Sequence, residues 1–249
     1  MIEKTMLDAP DGPAEAWVAR PDDGPHPGVL FFVDAIGLRP QIASMMERVA
    51  SWGHVVLAPH VFYREGTAEQ LAPTDDLRRP AAREAFFHEA MPRIRSLTPD
   101  LSEPDALVWL DALARLAPGP VGVIGYCMGA RLALRVAGQA PDVVAAVGGF
   151  HGGGLVTDVP DSPHLALRSA RAELVLLHAD ADPSMPAEAV AELGSVIEQA
   201  GLVATNEVVP GAPHGYTMED TSSWDAAAAE RHYAALQDLF RRGLGRATG

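Results

Sequence analysis

The sequence predicts an α/β fold: a mostly parallel central sheet with helices on both faces and an N-terminal hairpin. Three observations predict it. From residue 28 onward, short apolar strands alternate with helical periods, the pattern of repeated βαβ units. The segment 28–33 is a continuous apolar run with no alternation, as a strand covered on both faces reads. The 249 residues, 48% of them hydrophobic, show no composition break and no internal repeat. That fits one domain, 1–249, large enough to bury a substantial core without disulfides or metals.

The elements follow in order. Segments 4–8 and 15–20 flank Pro10-Asp11-Gly12, a strong turn signal, and read as a hairpin. After strand 28–33, Ile42, Met45, Met46 and Val49 recur at helical spacing within 40–52, and Gly53 ends the helix. Residues 55–57 form a short buried strand closed by Pro59. Residues 60–80 are irregular, a loop excursion with a helical turn, and 81–96 read as helix. Ser102-Glu103-Pro104-Asp105 reads as a capping box, opening a helix whose apolar stripe is Leu107, Leu110 and Ala114. Strand 120–125, helix 128–140, a strand from 143 ending in Gly148-Gly149, strand 173–178, helix 186–200 and strand 203–209 come next. Ser222-Ser223-Trp224-Asp225 resembles a second capping box, ahead of a helix to about Arg242. The tail 243–249 is expected to fray.

Bulk properties exclude several classes. The net charge is −14, Lys4 is the sole lysine, and no Lys/Arg-rich run occurs, which argues against nucleic acid as a partner. No stretch approaches the roughly 20 apolar residues of a membrane helix. The first 20 residues show no basic region followed by an apolar block, so a cytoplasmic protein is expected. No obligate dimer stripe is visible, which makes a monomer the default. The single cysteine cannot form an internal disulfide or a cysteine-rich zinc site. The histidines match no metal motif: His88-Glu89 lacks a second histidine, and His151 and His164 lack carboxylates at a suggestive spacing.

That cysteine lies in Gly125-Tyr126-Cys127-Met128-Gly129, after a strand and before a helix. This is the setting of a nucleophile elbow, G-x-Nuc-x-G, with cysteine in place of serine. The glycines suit a strained strand-to-helix turn where side chains would clash. The turn directs the Met128 N–H at a developing oxyanion, and the helix dipole favours thiolate. The bland alternative is a buried structural cysteine in a glycine-rich turn. An acid and a base follow in the order this motif requires. Strand 173–178 leads into Asp180 and Asp182, and strand 203–209 into Pro213-His214-Gly215. Both positions lie just past the carboxyl ends of late strands, the edge where sites form. Asp182, next to Pro183, is preferred over Asp180 as the orienting acid. His178, at the end of an apolar strand and ahead of the acid, is the rival base with a structural role expected.

With these residues the chain resembles the dienelactone hydrolase family of α/β-hydrolases, over about residues 4–240. The anchors are residues 28–37, Leu57-Ala58-Pro59 with Tyr63-Arg64, the Cys127 elbow, Asp182 with Pro186, and Gly211 through Gly215. The resemblance implies a triad of Cys127 nucleophile, His214 base and Asp182 acid, with the Ala35 N–H joining that of Met128 as oxyanion donor. It places Asp34 where the family carries an acid, usually glutamate, thought to contact the cysteine and gate its ionisation. Aspartate is one methylene shorter, so a contact with Cys127 needs a closer backbone or a water. Asp34 also reads as a turn-forming residue at a strand end. Enzymes acting on dienelactone itself carry an arginine four residues after the histidine, where this chain has Met218. The family's other arginine falls within 60–90, with Arg64, Arg79 and Arg83 as candidates.

The expected protein is an esterase or lactonase acting on a small ester or lactone through a thioester intermediate, with no cofactor and no metal. The alternative is a non-hydrolytic thiol sensor or binding protein on the same fold. A third reading makes 60–90 a lid for longer esters, although Phe62, Phe86 and Phe87 there read rather as core.

Overall fold

The computed structural model describes residues 1–21 and 24–245. Its centre is an 8-stranded sheet. The strands are β1 (Ile2–Ala9), β2 (Gly12–Ala19), β3 (Gly28–Phe32), β4 (Val55–Pro59), β5 (Val121–Tyr126), β6 (Val144–Phe150), β7 (Glu173–His178) and β8 (Ala204–Val208). They lie in the order β1-β2-β4-β3-β5-β6-β7-β8. The β1–β2 hairpin joins β4 antiparallel, and every pairing from β4 to β8 is parallel. The apolar runs read as buried strands are buried along their whole length in β3, β4 and β5. Phe31, Phe32 and Leu30 are almost wholly removed from water, each contributing about 1.5–3 kcal/mol of transfer free energy.

The helices are α1 (Pro40–Ala50), α2 (Ala68–Leu71), α3 (Pro80–Ser96), α4 (Pro99–Leu116), α5 (Gly129–Gln139), α6 (Ala187–Gln199) and α7 (Ala226–Gly243), with a 3₁₀ turn at Pro163–Arg168. One face of the sheet is covered by α1 and α7, tied by the Trp52 ring on Tyr233 and by Arg48 on Glu230. The other is covered by α4, α5 and the 3₁₀ turn, which packs in turn on α6. Alignment of β3, β5, β6 and β7 positions the chemistry: Phe32 pairs with Gly125, Gly125 with Gly149, and Gly149 with Leu176. Asp34, Cys127, His151 and Asp182 therefore leave the sheet along one edge.

Several local expectations need correction. Ser102 does not cap α4. The helix begins at Pro99, with Thr98 as N-cap, and Ser102 N–H already donates to Thr98 O. Pro99 supplies a preset φ at the first position, while Pro104 lies inside the helix and has no N–H for the Asp100 carbonyl. The buried stripe of α4 is accordingly Ala106, Trp109, Leu110 and Leu113, while Leu107 is exposed. The cap of α7 is Asp225, whose carboxylate accepts the Ala228 N–H, and not Ser222, which is tied instead to Leu77 O. Strand β6 continues through Gly148-Gly149 to Phe150. At the C-terminus Gly243 closes α7, and Leu244 is buried with Phe240 on the side where Gly122 lacks a side chain. The rest of the tail read as frayed, 246–249, lies outside the described residues.

Candidate active site

Cys127 sits at the turn between β5 and α5 with φ +54°, the left-handed region that strains any residue but glycine. Two close approaches explain its neighbours. A Cβ on Gly125 would overlap the Gly129 carbonyl, and one on Gly129 would overlap the carbonyls of Val33 and Phe32. The elbow thus requires glycine at both positions, and the turn is anchored by Cys127 N–H donating to Phe150 O at 3.1 Å.

The turn aims Sγ at His214, whose Nε2 lies 3.1 Å away. The other ring nitrogen, Nδ1, donates to Asp182 Oδ2 at 2.6 Å. The second oxygen of Asp182 accepts the Ser184 N–H at 2.9 Å and its hydroxyl at 2.7 Å, which fixes the carboxylate. Asp180 takes the role left to it: its Oδ2 accepts the Gly211 N–H at 2.7 Å and pins the histidine loop to the acid loop. His178 is structural, buried with Nε2 on Asn206 Oδ1 at 2.7 Å.

Electrostatics within the chain are mutual. Burial pushes the Cys127 thiol up, but the His214 charge and hydrogen bond and the Met128 N–H outweigh it, and the thiol lies below its ordinary value. Burial alone would lower His214; the Cys127 charge and the hydrogen bond to Asp182 raise it instead, to about 10. Asp182 is likewise pushed up by burial and pulled down further by His214 and Ser184, to about 2. The geometry therefore favours a thiolate–imidazolium pair backed by a carboxylate, and the pair titrates as a unit.

The surrounding cavity spans about 240 Å³, including its open mouth, and Asp34, Arg83, Phe87, His151 and Met218 line it with Cys127 and His214. Arg83 is the arginine of the 60–90 segment that reaches the site. Its Nη2 approaches His214 O at 3.4 Å, its guanidinium lies over the Phe87 ring, and its Nε is buried without a partner. Phe87 is thus a cavity wall as well as a packing residue, whereas Phe62 is core. Arg64 and Arg79 stand elsewhere. Arg64 is consumed by a bidentate pair with buried Asp105 and a bond to Asp11, and Arg79 is an exposed partner of Asp75.

Asp34 lines the cavity without a hydrogen bond to Cys127 among the described residues. Its Oδ1 accepts the N–H groups of Ile36 and Gly37, and both oxygens face Arg39, at 2.7 and 3.0 Å. Arg39 also reaches Asp220 and touches Met218 Sδ at 3.3 Å. The short aspartate is a turn residue locked in a buried ion triad. Neither Arg39 nor Asp220 stands out in the sequence, because 181 residues separate the partners.

His151 was also missed. It is fully buried at the end of β6 with φ +39°, its Nε2 2.7 Å from Thr217 Oγ1 and its ring edge-on to His214 at 5.4 Å between centroids. A search for carboxylate partners overlooks it because its partners are a hydroxyl and another ring. Among the described residues no group of three or more His, Cys, Asp or Glu side chains could hold a metal, and no helix is long and apolar enough to cross a membrane.

A strand-to-helix elbow with a cysteine at its apex, followed by an aspartate and a histidine at the ends of later strands of a mostly parallel sheet, is the arrangement of an α/β-hydrolase. The model of the dienelactone hydrolase family matches residues 14–244, and the chain belongs to that family of ester and lactone hydrolases. A relative from Yersinia pestis named "Putative carboxymethylenebutenolidase" is 25% identical over 237 residues, covering 90% of this chain and 82% of the relative. A relative of the same name from Methylorubrum extorquens is 26% identical, with 93% and 78% covered. The crystal structure of a "Putative Dienelactone Hydrolase" from Klebsiella pneumoniae has the same fold, with a TM-score of 0.81 at 20% identity over 97% of this chain and 98% of that one.

Proposed function

We propose that the protein hydrolyses a small ester or lactone by covalent catalysis at Cys127, and that residues 1–249 form one catalytic domain. The observation that carries this reading is the unbroken line Sγ–Nε2 3.1 Å and Nδ1–Oδ2 2.6 Å through Cys127, His214 and Asp182. The thiolate attacks the carbonyl carbon, and the carbonyl π electrons move to oxygen. The oxyanion takes the N–H groups of Met128 and Ala35, donors of a kind worth about 3–4 kcal/mol each. Collapse expels the alcohol or the ring oxygen, which takes the proton from His214 Nε2, and leaves a thioester on Cys127. Neutral His214 then takes a proton from water as it attacks the thioester. A second tetrahedral collapse releases the acid and returns the thiolate beside the imidazolium. Asp182 holds the ring in the required tautomer throughout.

Phe87, His151 and Met218 crowd the space around Cys127, which favours a small substrate. Arg83, half-buried and without a carboxylate partner among the described salt bridges, would anchor an anionic substituent. Met218 and the committed Arg39 supply no second cation. The relatives' name, carboxymethylenebutenolidase, agrees with a carboxylate-bearing lactone. Substituting Cys127→Ala abolishes turnover of a small activated ester while the protein melts as before. Undiminished hydrolysis in that variant overturns the reading. A thiol sensor would share the reactive cysteine but show no turnover in the unsubstituted protein.

A further inference from the structure

The turn that carries Ala35 is held in an unusual way. Its peptide plane between Ala35 and Ile36 is gripped at both ends: the Ile36 N–H donates to Asp34 Oδ1 at 3.0 Å, and Arg93 Nη2 donates to the Ala35 carbonyl at 2.8 Å. The preceding plane is held by the Gly37 N–H on the Asp34 carbonyl at 3.2 Å. The turn thus uses the N–H groups of Ile36 and Gly37, while that of Ala35, a fully buried residue, has no acceptor among the described residues. A buried backbone N–H without an acceptor is rare and costly. Here it is the donor the oxyanion would need.

Arg93 comes from α3, far from the turn in sequence. It is half-buried, forms no salt bridge among the described residues, and lies over the rings of Phe62 and Phe86. Its hydrogen bonds go to three backbone carbonyls, those of Ala35, Ile36 and Leu71. Its Nε is buried without a partner among the described residues. A desolvated guanidinium spent on carbonyls is a poor source of stability compared with an ion pair. It is well suited to fix a peptide plane and to place positive charge behind it.

We propose that Arg93 is a positioning residue for catalysis: by holding the Ala35 carbonyl it orients the adjoining Ala35 N–H for the oxyanion. Asp34, itself clamped by Arg39, holds the other end of the same plane. This rests on the reading of Ala35 and Met128 as oxyanion donors, and it adds the second layer that keeps one of them in place. An angular error in one donor lowers the rate without altering how the ground state binds.

The test compares Arg93→Ala, Arg93→Met and Arg93→Lys with the unsubstituted protein, at a temperature at which all are folded. Three quantities are read: kcat and KM for p-nitrophenyl acetate, the affinity for a small aldehyde, and the rate of Cys127 alkylation by iodoacetamide. The aldehyde adds the thiol across its C=O to give a hemithioacetal and so uses the oxyanion donors; alkylation displaces iodide and does not. The expected result is a fall in kcat of about 10- to 100-fold, a matching loss of aldehyde affinity, KM within about 2-fold, and unchanged alkylation. Arg93→Lys, with one point donor for the Ala35 carbonyl, recovers part of kcat. Unchanged kcat, or alkylation falling in step with kcat, overturns the proposal. Turnover by Cys127→Ala would instead overturn the underlying reading, which keeps the two failures distinct.

Discussion

Asp34 and Arg39 face each other as a bidentate ion pair, 2.7 and 3.0 Å long, with 3% and 4% of their surfaces exposed. The pair sits beside the candidate nucleophile, and its negative partner pushes the Cys127 thiol up, against the pull of His214. Asp34→Asn therefore moves the inflection of iodoacetamide alkylation to lower pH, while Arg39 keeps Asp220 as a counter-ion. An inflection that moves upward would show that Asp34 assists ionisation of the thiol.

Asp182 has its carboxyl lowered from 3.8 to about 2 in the folded state. A carboxylate with a depressed folded pKa contributes stability that is present above the unfolded value and is lost as pH falls through the folded one. The stability gap between the unsubstituted protein and Asp182→Asn, read from urea midpoints, is therefore constant between about pH 5 and pH 6 and narrows toward pH 2; it also narrows above pH 6.5, where His214, raised to about 10 in part by Asp182, begins to lose its own contribution. A gap independent of pH over this window would mean that Asp182 is not ionised against His214.

Arg83 and Arg64 make a contrasting pair. Arg83→Ala removes a cavity cation that has no carboxylate partner among the described residues, so KM for a carboxylate-bearing lactone rises at least about 10-fold, on the scale of one lost charged hydrogen bond, and a neutral ester is spared. Arg64→Ala leaves the buried Asp105 carboxylate without its counter-ion, held by the Tyr63 hydroxyl, and costs about 3 kcal/mol of stability, with KM unchanged. Equal effects of the two substitutions on KM would remove Arg83 from the site.

Gly129→Ala tests the elbow. The added methyl group meets the backbone carbonyls of Val33 and Phe32, which cannot yield as a side chain could. The urea midpoint falls by the equivalent of about 1–3 kcal/mol, and alkylation of Cys127 loses its low-pH reactivity as the helix shifts. A variant with the original stability would show that the β3 edge and the elbow do not touch.

What was legible in the sequence follows from the range of each signal. The buried strands, the elbow and the order Cys127, Asp182, His214 are local patterns, and Asp182 was separable from Asp180 by its place beside Pro183. The helix caps were misread because Ser102 and Ser222 satisfy a four-residue pattern equally well inside a helix or in a loop; the actual caps, Thr98 and Asp225, depend on where the chain leaves the preceding turn. Arg39 with Asp220, Arg93 with Ala35 and His151 with Thr217 were invisible for one shared reason. Each joins residues far apart in sequence, and in each pair at least one partner carries no motif. The position of Arg83 was undecidable for the same reason, since Arg64, Arg79 and Arg83 differ only in what the fold sets against them.

Acylation of Cys127 is read from the intact mass of the protein during turnover of p-nitrophenyl acetate. The expected result is an acetyl adduct that maps to Cys127, decays at the turnover rate, accumulates in His214→Asn and is absent in Cys127→Ala. Turnover without any adduct on Cys127, together with full activity in Cys127→Ala, would contradict it.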